Sequence, residues 1–234
     1  MRRAFATTFA VAAAFSLVTL SAQMQMQETL RKVEGAGIHA AGWQGKSDAQ
    51  EKGAKIEDSK FAQVGSEFRI NNGPAAIYWH PAQTASGSYT VSATFTEPKY
   101  MSSMDHPHPY GIFIAGNKLD TDQASLLYCT PYGTGSFIVR GFGPASFRVT
   151  GPGGGRGTPN DAIKKAEPGG SVTQDVAWVV TPEKAECKIN GVVVGSYAKA
   201  DIVAAGKLES LDGIAGIRAS HNVDFNVTNW KIAK

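Results

Sequence analysis

Alternation of apolar and polar residues at a period of two is the feature that most limits the folds open to this chain. Short segments of this kind follow one another from about residue 65 to the end, and none of them shows the 3.6-residue period of a long helix. Turn residues separate them, and Asn190-Gly191 gives the clearest hairpin. The eleven predicted strands are 65–70, 75–80, 88–96, 111–115, 124–129, 136–142, 173–181, 185–190, 192–197, 213–219 and 223–232. This pattern predicts an all-β fold with two sheets, arranged as a sandwich or a barrel.

The first 22 residues predict a secretory signal peptide. Arg2 and Arg3 precede an uncharged, mostly apolar run that ends at Leu20, and the small residues Ser21 and Ala22 suit a signal peptidase. The apolar run is too short for a stable membrane span, although an uncleaved anchor is the alternative. We therefore expect a secreted or periplasmic protein, of bacterial origin, with no membrane span in its mature form. The expected organisation is a signal peptide at 1–22, a leader or short helix at 23–37, and one β-sandwich domain at 38–234.

The charge balance limits the classes of partner. Without the two arginines of the signal peptide, the chain has 21 basic and 20 acidic residues. A protein so nearly neutral is not built to bind nucleic acid or anionic lipid as its main partner.

The two cysteines, Cys129 and Cys187, leave their pairing open. In an oxidising compartment a lone pair usually forms a disulfide. If the strands between them formed a simple meander, however, the two residues would be about 14 Å apart, which is too far for a bridge. A disulfide and two buried free thiols are both compatible with the sequence. Either way, alternation predicts that both side chains face inward.

Three segments together resemble a known family. GPAAIYWHP followed by SGSYTVSATF, AWVVTPEKAECKINGVVVGSYAKAD, and GIAGIRASHNVDFNVTNWKI are similar to strands of the concanavalin A-like jelly rolls of the laminin-G and glucanase type. Within that group, the segments resemble the secreted bacterial domains grouped with 3-keto-disaccharide hydrolases. The resemblance covers residues 38–234 and implies two antiparallel sheets in a jelly-roll sandwich. It also implies that a carbohydrate or similar polar small molecule binds on the concave face or at the rim loops.

One departure from the glucanase branch affects the expected activity. That branch places its catalytic acids close together on one strand, because two carboxylates must flank one glycosidic bond. Here Asp175, Glu186 and Asp224 each stand alone on their strands. We therefore favour a binding module that does not cleave its ligand. The alternatives are a glycoside-processing enzyme of the 3-keto-disaccharide hydrolase type and a structural or adhesion domain.

The strongest local cluster of chemically active residues is the segment DHPHPY. Flanking prolines hold His106 and His108 extended, so that side chains two residues apart share a face. They could bind one metal with Asp105 or Asp120, donate hydrogen bonds to a sugar together with Tyr110, or lie in a solvated loop. The sequence leaves these three interpretations open.

A second group of candidates lies on the strands. Alternation places Arg140 on one face of its strand with Ile138 and Phe142, and Tyr128 opposite Leu127 and Cys129. A short turn joins the two strands, so Tyr128 and Arg140 can face the same way. A guanidinium can bind vicinal hydroxyls, and an aromatic ring can stack on a sugar. The full set of predicted ligand-binding residues is His106, His108, Tyr110, Tyr128, Arg140, Arg218, His221 and Trp79.

We predict no cofactor, with calcium or a histidine-bound metal as lesser alternatives. Asn117, Asp120 and Asp122 could supply oxygen ligands for calcium, but their spacing is not that of a complete binding loop. Capping of a turn is the favoured role for these three side chains.

Overall fold

The period-two segments form β-strands. The computed structural model describes residues 29–48, 53–102, 106–150 and 157–234, so the predicted signal peptide lies outside the described residues. One 3-10 turn, Ile56–Asp58, and one short helix, α1 (Lys199–Ile202), accompany the strands. The strands are β1 (Gly37–His39), β2 (Gln44–Ser47), β3 (Lys60–Val64), β4 (Glu67–Asn71), β5 (Ala76–Ala85), β6 (Tyr89–Glu97), β7 (Tyr110–Asn117), β8 (Ser125–Tyr132), β9 (Ser136–Phe142), β10 (Phe147–Arg148), β11 (Thr158–Pro159), β12 (Val172–Val180), β13 (Lys184–Ile189), β14 (Val192–Ala198), β15 (Gly213–Ala219) and β16 (Asp224–Ala233).

These strands make two sheets, and the predicted two-sheet antiparallel sandwich is confirmed. The first sheet has the order β1-β3-β4-β16-β6-β12-β13-β14. The second has the order β10-β9-β8-β7-β15-β5-β2, with β11 also paired to β9. All pairs are antiparallel except β1 with β3.

Each of the eleven predicted strands is present, and five more were not predicted. The five are β1, β2, β3, β10 and β11, which have two to five residues each. In β3 only Phe61 is buried, and β2 has no buried residue. Strands with so few buried positions show no alternation that a sequence pattern could detect.

The second sheet is apolar on both faces. The face that packs on the first sheet contributes Tyr78, Leu127 and Val139 to the main core. The opposite face, here called the outer face, carries a smaller apolar cluster, to which Leu119 from the β7–β8 loop also belongs. The strand residues of that cluster are Ile77, Trp79, Phe113, Leu126, Tyr128, Tyr132 and Ile138. Each of these side chains is at most 7% exposed, so most of the outer face is covered.

The hairpin predicted at Asn190-Gly191 joins β13 to β14. Both residues have positive φ, 50° at Asn190 and 83° at Gly191. This is the backbone that a tight two-residue hairpin turn requires, and asparagine and glycine adopt it at the least cost.

Cys129 and Cys187 form a disulfide, with a Cα–Cα distance of 6.3 Å. Cys129 lies on β8 in the second sheet and Cys187 on β13 in the first, and both side chains are fully buried. The predicted inward orientation is therefore confirmed. The 14 Å separation expected for a meander does not apply, because the two strands face each other across the core instead of lying in one sheet.

The described part of the leader, residues 29–36, contains no helix. Arg31 holds it against the sandwich by donating from Nε to the Asn72 carbonyl at 2.9 Å and from Nη2 to the Val223 carbonyl at 2.6 Å. Gly73 permits this close approach, since a Cβ there would lie 2.1 Å from the Arg31 carbonyl oxygen. Among the described residues, no helix is long and apolar enough to cross a membrane.

Candidate functional site

Tyr128 and Arg140 are direct cross-strand partners on β8 and β9, as predicted. The predicted alternation of β9 is also present: Ile138 and Phe142 pack in the outer cluster, whereas Val139 lies in the main core. Tyr128 and Arg140 therefore share the outer face.

Arg218 of β15 joins this face from the other side of Tyr128. Its guanidinium carbon lies 5.3 Å from the ring centre of Tyr128 and 5.3 Å from that of Phe142. Its Nη1 and Nη2 donate to the two carboxylate oxygens of Asp48 at 2.5 and 2.6 Å. The guanidinium is thus fixed by two aromatic rings and a two-point ion pair.

A pocket of about 270 Å³ opens beside this ion pair on the outer face. Asp48 and Phe142, which both contact Arg218, are part of its wall. Lys46 crosses one side, where its ammonium donates to the Thr121 carbonyl and lies 3.7 Å from the Asp122 carboxylate. The lining residues are Lys46, Ser47, Asp48, Ile77, Thr121, Asp122, Ala124, Phe142, Gly143, Pro144, Ala145 and Ser146.

None of the eight residues predicted to bind a ligand lines this pocket, although Arg218 contacts its lining residues Asp48 and Phe142. Asp48 directly follows β2, a strand that alternation does not reveal, and it meets Arg218 from 170 residues away. The one available signal was Arg218 itself, because an arginine on a strand between buried positions needs a carboxylate nearby. Arg218 is 8% exposed, which is the burial that makes such a partner necessary.

Arg140 lies farther along the same face and has unsatisfied donors. Its Nε and Nη2 are buried and have no hydrogen-bond partner among the described residues, and the same is true of Oγ1 of Thr130. Burial raises the pKa of nearby Tyr132 to about 12, an effect that the positive charge of Arg140 opposes. The outer face of β8 and β9 therefore holds donor groups that a polar ligand or water could satisfy.

Trp79 and Tyr78 face opposite ways, as neighbouring residues of a strand do. Tyr78 lies in the main core and Trp79 in the outer cluster. Trp79 is only 4% exposed, however, so its ring is a packed part of the outer face and is not open for sugar stacking in this structure.

Tyr110, one of the predicted ligand-binding residues, is buried in the main core and not on a ligand-binding surface. It is the first residue of β7, and its ring stacks in the main core on Phe225, with ring centres 4.3 Å apart. Its hydroxyl is hydrogen-bonded to Glu97. Pairing with Ala219 fixes this orientation, because strand alternation then turns Tyr110 inward.

His106, His108 and His221 come together where β15 ends and β7 begins. Their ligand nitrogens all lie within 4.8 Å of one another. His108 is buried, His221 is half-buried and His106 is exposed. None of the three lines the pocket, and neither do the predicted residues Trp79, Tyr128, Arg140 and Arg218.

The oxygen-bearing residues considered for calcium do not form a comparable group. Nδ2 of Asn117 donates to the carbonyls of Ala115 and Asp212 at 3.1 and 3.3 Å, which is a turn-capping role. Among the described residues, the group of histidine, cysteine or acidic side chains that is close enough to share one metal ion is His106, His108 and His221.

Comparison with known proteins gives the fold. No family model matches the chain, and no curated protein matches it in sequence. A CBM66 carbohydrate-binding module from Bacillus subtilis is 10% identical with a TM-score of 0.51, over 82% of this chain and 96% of that one. A protein of unknown function with a galectin-like fold, also from Bacillus subtilis, is 10% identical with a TM-score of 0.54, over 82% and 88%. The laminarinase catalytic domain of Thermotoga maritima is 10% identical with a TM-score of 0.51, over 84% and 92%. The predicted concanavalin-like jelly roll is confirmed.

Proposed function

We propose that this protein is a secreted or periplasmic module that binds a carbohydrate in the pocket of the outer face and does not cleave it. The observation that carries the proposal is a pocket wall that contains Phe142 and Asp48, with Asp48 held in place by its two-point ion pair to Arg218. The fold supports it, since a carbohydrate-binding module with a TM-score of 0.51 has the same architecture.

The chemistry of the pocket suits a sugar. Sugar hydroxyls need acceptors and donors held in fixed positions, and Asp48, fixed by its ion pair with Arg218, provides an acceptor in the pocket wall. Lys46 adds a donor, and Phe142 offers an apolar surface to the C–H face of a sugar ring. A volume of about 270 Å³ is near the lower limit of small-molecule sites, which favours the end of a glycan chain over a long internal segment.

The carboxylates of the pocket favour binding over hydrolysis. Glycoside hydrolysis needs one carboxyl group that stays protonated, usually in an apolar setting. Asp48 is engaged at both oxygens by Arg218. The side chain of Asp122 is 97% exposed. Neither residue has the environment of a general acid.

Glycan-array screening of the mature protein, followed by calorimetry with the best hit, tests the proposal. The Lys46→Ala variant should bind about 10-fold more weakly, which corresponds to about 1.4 kcal/mol. Lys231→Ala is the matched control, because Lys231 is exposed on β16 of the first sheet. Absence of binding to any glycan would favour a structural or adhesion domain. Release of reducing sugar from the bound glycan would favour the glycoside-processing alternative.

A further inference from the structure

We propose that His106, His108 and His221 form a binding site for a divalent transition-metal ion, with at least one coordination position left open. Three of the five histidines of the chain converge here, from two segments more than 100 residues apart. The inference is independent of the carbohydrate proposal, because the cluster and the pocket share no lining residue.

The ligand nitrogens of the three rings lie close enough together to meet on one ion after a local rearrangement of the rings. Nε2 of His108 lies 2.8 Å from Nε2 of His106. The ring centre of His108 lies 4.4 Å from that of His106 and 4.1 Å from that of His221. Two imidazole nitrogens on one tetrahedral Zn²⁺ are about 3.3 Å apart, from Zn–N bonds of about 2.05 Å. Joint coordination therefore requires the two Nε2 atoms to separate by about half an ångström and both rings to turn toward a common point.

The backbone fixes His108 in the tautomer that a metal ligand needs. Nδ1 of His108 lies 2.6 Å from the carbonyl oxygen of His221. A carbonyl only accepts, so Nδ1 carries the hydrogen, and the neutral ring presents the lone pair of Nε2 to the cluster. An imidazole oriented by an N–H bond to a backbone carbonyl is the usual support of a metal-binding histidine. When the His108 ring is neutral, the contact between the two Nε2 atoms is a hydrogen bond donated by His106, and a metal would take the place of the shared proton.

The segments that carry the histidines are tied to each other and to the sandwich. The amide of Ser220 donates to the Pro109 carbonyl at 3.1 Å, which joins the two histidine-bearing segments. Two residues later, the backbone N–H of Asn222 donates to the Gly73 carbonyl at 2.9 Å. The side-chain Oδ1 of Asn222 accepts from the backbone N–H of Arg31 at 3.0 Å. His108 and His221 are therefore held in place before any ion arrives, which lowers the ordering cost of binding.

The type of ligand and the exposure of the cluster limit which metal ions can bind here. Imidazole nitrogens suit Zn²⁺, Cu²⁺ and Ni²⁺, whereas Ca²⁺ and Mg²⁺ prefer oxygen. His106 is exposed, so the cluster is open to solvent on one side. Three protein ligands leave a tetrahedral ion one position for water or another small ligand.

Calorimetric titration with Zn²⁺ tests the site, using the mature chain stripped with a chelator and carrying no polyhistidine tag. The expected result is one Zn²⁺ per chain. His106→Ala and His221→Ala should each weaken binding at least about 10-fold. His39→Ala and His80→Ala should not change it, because neither histidine belongs to the cluster. Co²⁺ should give the visible absorption of a four-coordinate ion in the wild type and lose it in His106→Ala.

His106→Ala decides the outcome if His221→Ala fails to fold, because an exposed side chain tolerates truncation. Zn²⁺ binding that is absent, or that His106→Ala leaves unchanged, would overturn the proposal. Equal losses in the His39 and His80 variants would do the same, since they would indicate nonspecific binding. A negative result would leave the glycan measurements unaffected, so the two proposals can fail separately.

Discussion

Arg218 and Asp48 meet in a two-point ion pair that joins the central strand β15 to the end of the edge strand β2. The side chains are 9% and 18% exposed, so the pair is largely removed from water. Tyr128 and Phe142 lie against the guanidinium. This arrangement makes the wall of the pocket part of the folded structure and not a feature that forms only with ligand.

Asp48→Asn should destabilise the fold by about 3 kcal/mol, because it removes the charge that balances a buried guanidinium. The double variant Asp48→Asn with Arg218→Met should recover part of that loss, since it removes both charges and keeps most of the volume. Urea unfolding of the wild type, both single variants and the double variant gives the coupling energy. Additive single effects would mean that the pair contributes no stability of its own.

Arg140→Met should leave stability unchanged or raise it. The guanidinium has two buried nitrogens without a partner among the described residues, and an unsatisfied buried donor costs about 1–3 kcal/mol. If the ligand extends along β8 and β9, the same variant should bind the glycan more weakly. Thermal unfolding and calorimetry on one preparation separate the two effects. A large loss of stability would show that Arg140 is a structural ion.

Local patterns predicted those parts of the site that depend on neighbouring strands. Tyr128 and Arg140 belong to strands that a short turn connects, so alternation and the turn together fix their pairing. The contact of Arg218 with Asp48, 170 residues away, depends on which strand reaches the edge of the second sheet. No local signal carries that information, and β2 is too short to be detected at all.

Strand pairing that local patterns do not reveal also decides where the histidines and Tyr110 lie. His106 and His108 were predicted to act together because they lie two residues apart. His221 joins them because β15 pairs with β7, which brings its turn beside the start of β7. Tyr110 was predicted to bind a ligand together with these histidines, whereas the strand that begins at this residue turns its ring into the core.

Glu97 should give the protein a stability that falls as the pH rises. Burial raises the pKa of this carboxyl from 4.5 to about 7, a rise that the amide of Met101, the hydroxyl of Tyr110 and the charge of Arg31 only partly oppose. Between those two values the unfolded chain releases its proton before the folded chain does, so rising pH favours unfolding. Below about pH 4.5 the carboxyl is protonated in both states and this cost is absent; above about pH 7 it reaches roughly 3 kcal/mol.

Urea unfolding of the wild type and Glu97→Gln at about pH 4.5 and about pH 8 measures this effect. The unfolding free energy of Glu97→Gln minus that of the wild type should be larger at the higher pH by roughly 3 kcal/mol. Other titrating groups cancel, because both proteins contain them. Glu183→Gln, at an exposed position, is the control and should show no such shift. If the difference in unfolding free energy between wild type and Glu97→Gln is the same at both pH values, the pKa of Glu97 is not raised by burial.

The Cys129–Cys187 disulfide should contribute several kcal/mol to the free energy of unfolding. The two residues are 58 positions apart, and closing a loop of that length in the unfolded chain is worth about 4 kcal/mol in the chain-entropy treatment. The bridge also joins the two sheets through the core, where both cysteines are fully buried.

The double variant Cys129→Ala with Cys187→Ala should therefore unfold at a lower urea concentration, with a loss of about 4 kcal/mol. The native protein should show no thiol reactive toward labelling reagents, since both cysteines are in the bridge. A reducing agent should lower wild-type stability toward that of the variant and leave the variant itself unchanged, which separates the loss of the bridge from the loss of side-chain packing. Two reactive thiols in the unfolded, unreduced protein would contradict the bridge. Equal stability with and without reductant would show that the packing of the two sheets holds them together without it.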